Sequence, residues 1–282
     1  MIIFNGSMPR AGSTLMQNIL GNHPEFYVSP TSVVMDMIYE AHAQHTRSVE
    51  IQAQGGIEKN AEALYGFFKG AIEGYYKPLT DKPYIVDKSR GWNMYIDVLK
   101  KIYNKPKIIC MVRHPFGILS SMEKAYRRNP HVNKQSVNTV SWAQMRGTTV
   151  NKRIDGWLES QPVGLAFDRL YDAILRGWTN AEDILFVRFE DLTTNPEETM
   201  KKVHWYLEIP DYNYDFKNIK QVTEEDDNVH GIYGDHNIRS EIKPIEENPI
   251  EILSLNGCLH IQKRLGWFME YFNYDKITFE ED

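Results

Sequence analysis

Short apolar runs alternate with longer stretches of helical pattern along this chain of 282 residues. Ile2 to Asn5, Tyr84 to Asp87, Lys107 to Val112 and Ile184 to Phe189 have the length and character of strands. The third holds an unbroken Ile-Ile-Cys-Met-Val, the composition of a parallel strand covered on both faces. Between and after these runs, the pattern predicts helices around 13–22, 57–76, 92–101, 115–127 and 196–207. Pro196 opens the last of them, with Glu197 and Glu198 in its first turn, where an acidic side chain suits the positive end of the helix dipole. Strands that alternate with helices predict an α/β fold with a central parallel sheet between two helical layers. Ligands of such sheets lie beyond the carboxyl ends of the strands.

No change of composition marks a linker, so residues 1–282 read as one domain. Residues from about 127 to 176 differ from the rest, with tryptophans (Trp142, Trp157) and many polar positions but no strand pattern. Two readings stand for them: a helical cap or substrate lid inserted in the α/β core, or ordinary peripheral helices. The formal charge of −6 argues against a general polyanion binder and against nucleic acid as a partner. The acidic run Glu224 to Asp227 reads as a solvated loop. Two cysteines, one of them inside the apolar run at Cys110, do not make a disulfide framework. No apolar stretch reaches the ~18 residues of a membrane span, and a first strand beginning at Met1 or Ile2 leaves no room for a signal peptide.

The candidate chemistry begins at residues 8 to 14, Met-Pro-Arg-Ala-Gly-Ser-Thr, between the first strand and the first helix. A small-residue loop that opens a helix is an anion cradle: Gly12 lets the backbone approach an oxyanion, Ser13 and Thr14 supply hydroxyls, and the helix end supplies free N–H groups. Arg10 adds a forked cation. A Walker A loop reads G-x-x-x-x-G-K-S/T, but here the spacing from Gly6 to Gly12 is one residue too long and Ser13 stands in place of the lysine. A second cation, Arg113, follows the third strand in Arg113-His114-Pro115, with Ser121 about two helical turns beyond it. Lys88 follows the second strand. Three cations from separate segments therefore converge on one edge of the sheet.

The loop resembles the 5′-phosphosulfate loop, P-R/K-S/A-G-S/T-S/T, of sulfotransferases that use 3′-phosphoadenosine 5′-phosphosulfate (PAPS). With His23-Pro24-Glu25 it is most like the branch holding tyrosylprotein, carbohydrate and bacterial sulfotransferases. Arg113 and Ser121 are similar in kind and spacing to the family's 3′-phosphate motif, and Ile184 to Leu207 resembles its Y-E-D-L, N-P, F-L segment. The resemblance implies a P-loop NTPase-like fold, PAPS as donor, adenosine 3′,5′-bisphosphate as product and no metal. It implies that Arg10, Ala11, Gly12, Ser13 and Thr14 hold the phosphosulfate, and that Arg113 and Ser121 hold the 3′-phosphate. Phe189 stands near the adenine where relatives often have tyrosine. Lys88, in a segment like the family's D/E-K-S/T-P, is assigned with Arg10 to the transferring group. Lys243-Pro244 resembles a late Lys-Pro of the tyrosylprotein branch, and Gly231 to Asp235 resembles a G-x-x-G-D loop that closes over the 3′-phosphate.

Animal Golgi relatives carry an amino-terminal anchor, so the expectation here is a cytoplasmic protein of microbial or viral origin with no membrane partner. For a hydroxyl acceptor the reaction needs a base, and the stretch Val28 to Ser32 lacks the glutamate found in tyrosylprotein and heparan sulfotransferases. Asp87, Asp36 and His114 are the base candidates. Alternation along a strand points Asp87 away from Lys88 and favours an ion-paired structural role for it. The remaining histidines, including His42, His45 and His260, have no metal-ligand spacing. The acceptor stays open among small molecule, carbohydrate and peptide. The alternatives are a P-loop nucleotide kinase or NTPase, disfavoured by the missing lysine, and a catalytically silent nucleotide-binding module.

Overall fold

The computed structural model describes residues 1–128, 147–160, 162–175, 183–230 and 234–278. Five parallel strands form one sheet in the order β2-β3-β1-β4-β5. They are β1 (Ile2–Asn5), β2 (Phe26–Thr31), β3 (Tyr84–Lys88), β4 (Lys107–Val112) and β5 (Ile184–Arg188). The four expected strands are present, with two boundaries changed: β3 runs one residue further, to Lys88, and β5 ends at Arg188, after which Phe189 begins a helix. β2 was not expected, because Ser29 and Pro30 interrupt its apolar pattern. It lies at the sheet edge, where a proline costs no ladder bond, and its pairing with β3 shifts register between Val28 and Thr31.

The helices before β5 are α1 (Ser13–Gly21), α2 (Val34–Arg47), α3 (Val49–Ala53), α4 (Ala61–Tyr76), α5 (Ile96–Ile102), α6 (Pro115–Arg128), α7 (Val150–Glu159) and α8 (Val163–Leu175). After it come α9 (Phe189–Thr194), α10 (Pro196–Leu207), α11 (Asp227–His230), α12 (Pro249–Leu253) and α13 (Leu255–Tyr271). Ile3, Phe4, Val86 and the run Ile108 to Val112 are fully covered, which explains why β1 and β4 read as unbroken apolar runs. Phe4 also packs on Trp92 with ring centroids 4.6 Å apart. Among the described residues, no helix is long and apolar enough to cross a membrane.

Part of the expected cap, including residues 129–146 with Trp142, lies outside the described residues. Its described helices pack on the body: α7 lies against α6 and α13, and α8 lies against α7 and the turn at Trp92–Met94. Trp157 of α7 is fully buried. A charged lock joins α7 to α6. Glu123, with no exposed side-chain surface, accepts from Arg153 Nε at 2.8 Å and Nη2 at 2.6 Å, and from Arg127 Nε at 2.8 Å. Removing the carboxylate strands a buried guanidinium, a change that typically costs ~3–5 kcal/mol. Glu123→Ala is therefore expected to lower unfolding stability by about that amount in a denaturant titration. A loss under ~1 kcal/mol, the range of an exposed pair, would show that Arg153 finds solvent instead.

Candidate active site

The loop after β1 is pinned to β4 before it reaches the helix. Gly6 and Met8 donate their N–H groups to the Ile109 and Met111 carbonyls at 2.9 and 3.0 Å, and Met111 N–H donates to Ser7 Oγ at 2.8 Å. Arg10 and Gly12 then take positive φ, 58° and 89°. Glycine is needed at position 12: a Cβ there would meet the Phe189 ring at 2.7 Å, besides the strain of the left-handed backbone. Gly12 is also the residue preceding α1, and no side chain caps the first turn of that helix. The orphan N–H donors at the start of α1 thus retain their capacity to bind an anion.

A cavity of about 780 Å³, the size of a nucleotide site, opens at this point. Its lining holds Arg10, Gly12, Ser13, Thr14, Lys88, Arg113, Ser121, Phe189 and Lys243. The sheet register explains the convergence, since Asn5 and Lys88 are partners across β1 and β3, and Arg113 follows the end of β4. Arg10 Nε donates to Ser121 Oγ at 2.9 Å, and Arg113 Nη1 donates to the Arg10 carbonyl at 3.2 Å. The loop and the Arg-His-Pro segment therefore touch. Among the described residues, Arg90, Lys124, Arg127, Arg128 and Arg239 bring the Lys and Arg side chains in the lining to nine, against two carboxylates, Asp235 and Glu241. The cavity reverses the sign of the chain's net charge of −6.

The other expected residues divide. Ala11 is fully buried in the core, and its side chain does not line the cavity. Phe189 does line it, stacked on Arg113 with the guanidinium carbon 4.6 Å from the ring centre. Lys243 is half exposed and pairs with Glu241 at 2.9 Å. Asp87 is wholly buried outside the cavity lining: Trp92 Nε1 donates to it at 2.6 Å, Ser32 Oγ at 2.8 Å, and Tyr76 OH also donates. Burial raises its pKa, and these three hydrogen bonds oppose the rise. Its partners are neutral donors, so the ion pair expected for it is replaced by hydrogen bonds. Asp36 is exposed on α2, away from the cavity lining. His114 also lies outside that lining: its Nδ1 accepts from Phe116 N–H at 3.1 Å and its Nε2 faces the Asp275 carbonyl at 3.0 Å.

The partners of the three cations, which sequence reasoning missed, are acidic. Glu225, read as part of a solvated run, has a side chain only 4% exposed and pairs with Lys88 at 2.7 Å. Thr31 gives it two further hydrogen bonds, from N–H at 3.0 Å and Oγ1 at 2.7 Å. Burial pushes the Glu225 carboxyl up, but the Lys88 charge and the hydrogen bonds from Lys88 and Thr31 outweigh it and hold the pKa down at about 2. Burial also lowers Lys88, opposed by Glu225. Asp235 pairs with Arg10 at 2.9 Å and with Arg128 at 2.8 Å. Glu247 pairs with Arg113 at 3.3 Å and also with Lys124. Each of the three predicted cations thus holds a carboxylate from residues 225–247. His230 and His236 also line the cavity, beside Glu225.

The sequence profile of the sulfotransferase family matches residues 3–213. The nodulation protein NoeE of Sinorhizobium fredii is 24% identical over 135 residues, 45% of this chain and about a third of NoeE. Among solved structures, the sulfotransferase domain of the Synechococcus PCC 7002 olefin synthase aligns with a TM-score of 0.50 at 18% identity, over 98% of this chain and 96% of that one. A sulfotransferase from Alicyclobacillus acidocaldarius aligns with a TM-score of 0.51 at 12% identity, over 98% and 97%. These likenesses support the P-loop-like α/β fold.

The burial of Asp87 makes a prediction about the base. In Asp87→Asn the amide can still accept from Trp92 and donate to a hydroxyl, so folding, bisphosphate affinity and turnover should be retained within a few-fold. Asp87→Ala should cost ~1–3 kcal/mol for each donor left unpaired. A fall in turnover of ~10²–10⁴ in the asparagine variant, with folding intact, would restore Asp87 as the base.

Proposed function

Since this chain belongs to the sulfotransferase family, we propose that it transfers a sulfuryl group from PAPS to a hydroxyl or amine acceptor. The observation that carries the reading is the junction of two anion-binding elements, the uncapped α1 with its glycine loop and the Arg113 and Ser121 pair, in one basic cavity. An anion with phosphates at both the 3′ and the 5′ position uses both elements. A mononucleotide with a single phosphate uses one.

The residues present fit such a donor. Arg10, the Gly12 backbone, Ser13 and Thr14 take the 5′-phosphosulfate, where the helix dipole and the N–H groups stabilise the charge left on the phosphate as the sulfuryl group departs. Arg113 takes the 3′-phosphate beside Ser121, and Phe189, fixed between Gly12 and Arg113, offers a ring face for the base. Lys88 lies 3.4 Å from Thr14 Oγ1, close enough to follow charge as it develops on the bridging oxygen. The acceptor class, whether small molecule, carbohydrate or peptide, is a matter for an acceptor screen.

Adenosine 3′,5′-bisphosphate should raise the melting temperature more than AMP or ATP, and without added magnesium. Equal shifts from AMP and the bisphosphate would remove Arg113 from the donor site. Arg113→Ala should weaken bisphosphate binding by ~10–100-fold, the usual scale of a lost charge-assisted contact. Lys88→Ala should leave that affinity within a few-fold and lower turnover. Bisphosphate binding with no sulfuryl transfer to any acceptor would identify a silent nucleotide-binding module.

A further inference from the structure

Beside Lys88, three Lewis-basic atoms converge. Glu225 Oε2 lies 3.2 Å from His230 Nε2 and 3.5 Å from His236 Nε2, and the three atoms lie within 4.8 Å of one another. Zinc bonds of ~2.0–2.1 Å in a tetrahedron separate neighbouring ligand atoms by roughly 3.3 Å. The distances from the carboxylate to both imidazoles match that edge.

Proton bookkeeping points the same way. His236 Nδ1 is 2.6 Å from Asp227 Oδ1, so that nitrogen carries a hydrogen. A neutral imidazole has only one, and Nε2 then presents a lone pair to the Glu225 carboxylate. A metal cation at the common point removes the conflict between that lone pair and the carboxylate. A carboxylate on the far nitrogen of a metal-binding histidine is the usual outer partner, because it fixes the tautomer.

We propose that Glu225, His230 and His236 bind one divalent cation of the zinc type, oriented by Asp227. Two imidazoles and one carboxylate suit zinc and its first-row neighbours and disfavour magnesium and calcium, which take oxygen ligands. The sequence hides the group because its members are spaced by five and six residues and come together only when the chain folds back around Glu225. His230 and His236 line the cavity, so a fourth ligand position opens on it, where an acceptor oxygen can be held. That last role rests on the sulfuryl-transfer reading. The metal site itself does not.

The test is calorimetric titration of the full, tag-free, chelator-treated chain with Zn²⁺, with Mg²⁺ as contrast. One equivalent of Zn²⁺ and no Mg²⁺ is expected, and Co²⁺ should give the visible absorption of a four-coordinate site. His230→Ala and His236→Ala should each weaken Zn²⁺ by at least ~100-fold, and Asp227→Asn, which keeps all three ligands, by ~10–100-fold. Melting curves in the absence of metal check folding, and Asp227→Asn carries the test where a histidine variant does not fold. Absence of Zn²⁺ uptake by the parent chain, or uptake undiminished in both histidine variants, overturns the proposal. Titration with adenosine 3′,5′-bisphosphate alongside separates a failure of this site from a failure of the donor site.

Discussion

Like charges crowded at the end of a sheet must be neutralised, and most of this architecture bears on how that is done. Lys88 and Arg113 stand at the ends of the two strands that flank β1, and Arg10 lies in the loop after β1, so mutual repulsion would work against any compact arrangement of the three. Pairing removes the penalty: Glu225, Asp235 and Glu247 each take one of them. All three carboxylates come from the segment that follows α10, which is why a chain with a net charge of −6 can build a basic cavity. The segment is tied down by a polar residue of α1 and by the residue that follows the helix. Asn18 donates to Thr223 Oγ1 at 2.9 Å and accepts from Thr223 N–H at 3.1 Å, and Asn22 exchanges hydrogen bonds with the Lys220 backbone at 2.9 and 3.1 Å. Its ends meet where Ile219 N–H donates to the Ser240 carbonyl at 2.8 Å and Ile242 N–H donates to the Phe216 carbonyl at 2.9 Å.

The parts of the fold legible in the sequence were those whose signal is local. β1 and β4 are covered on both faces, so their positions read as unbroken apolar runs, and the uncapped glycine entry to α1 is written in seven consecutive residues. β2 was hidden because an edge strand tolerates Pro30 and uses Ser29 for bonds to its neighbours: Lys88 N–H donates to Ser29 Oγ at 3.0 Å and Gln17 Nε2 donates to the Ser29 carbonyl at 2.9 Å. Polar atoms at such positions look like loop until their partners are known. The strand boundary at Phe189 failed for a related reason, since an aromatic side chain suits both the end of a strand and a contact with Arg113.

In the site, the cations were legible and their partners were not. Arg10, Lys88 and Arg113 follow strand ends, and alternation along the chain is enough to place them together. A carboxylate 137 residues from its lysine, as Glu225 is from Lys88, leaves no periodic trace, and a run of acidic residues ordinarily belongs to solvent. Asp87 shows the converse. Alternation gave its direction, away from Lys88, but whether it met a cation or neutral donors depended on Tyr76 and Trp92, which only the packing of α4 and the Trp92 turn bring to it.

The same pairing constrains how an anion can enter. Arg10 spends one donor on Ser121 and one on Asp235, and its guanidinium has five, so it can hold a phosphate without releasing either partner. Lys88 is different, because its ammonium is a point charge with three donors and lies 2.7 Å from a carboxylate that is itself nearly enclosed. An anionic group brought against Lys88 faces the negative charge of Glu225 at close range in a poorly solvated site, where Coulomb forces are strong. Its approach is favourable only if Glu225 turns away or shares a second positive charge. The arginine side of the cavity can therefore accept anionic charge additively, whereas the lysine side must exchange or compensate it. This asymmetry follows from the fold placing an arginine in the loop and a lysine at the end of β3.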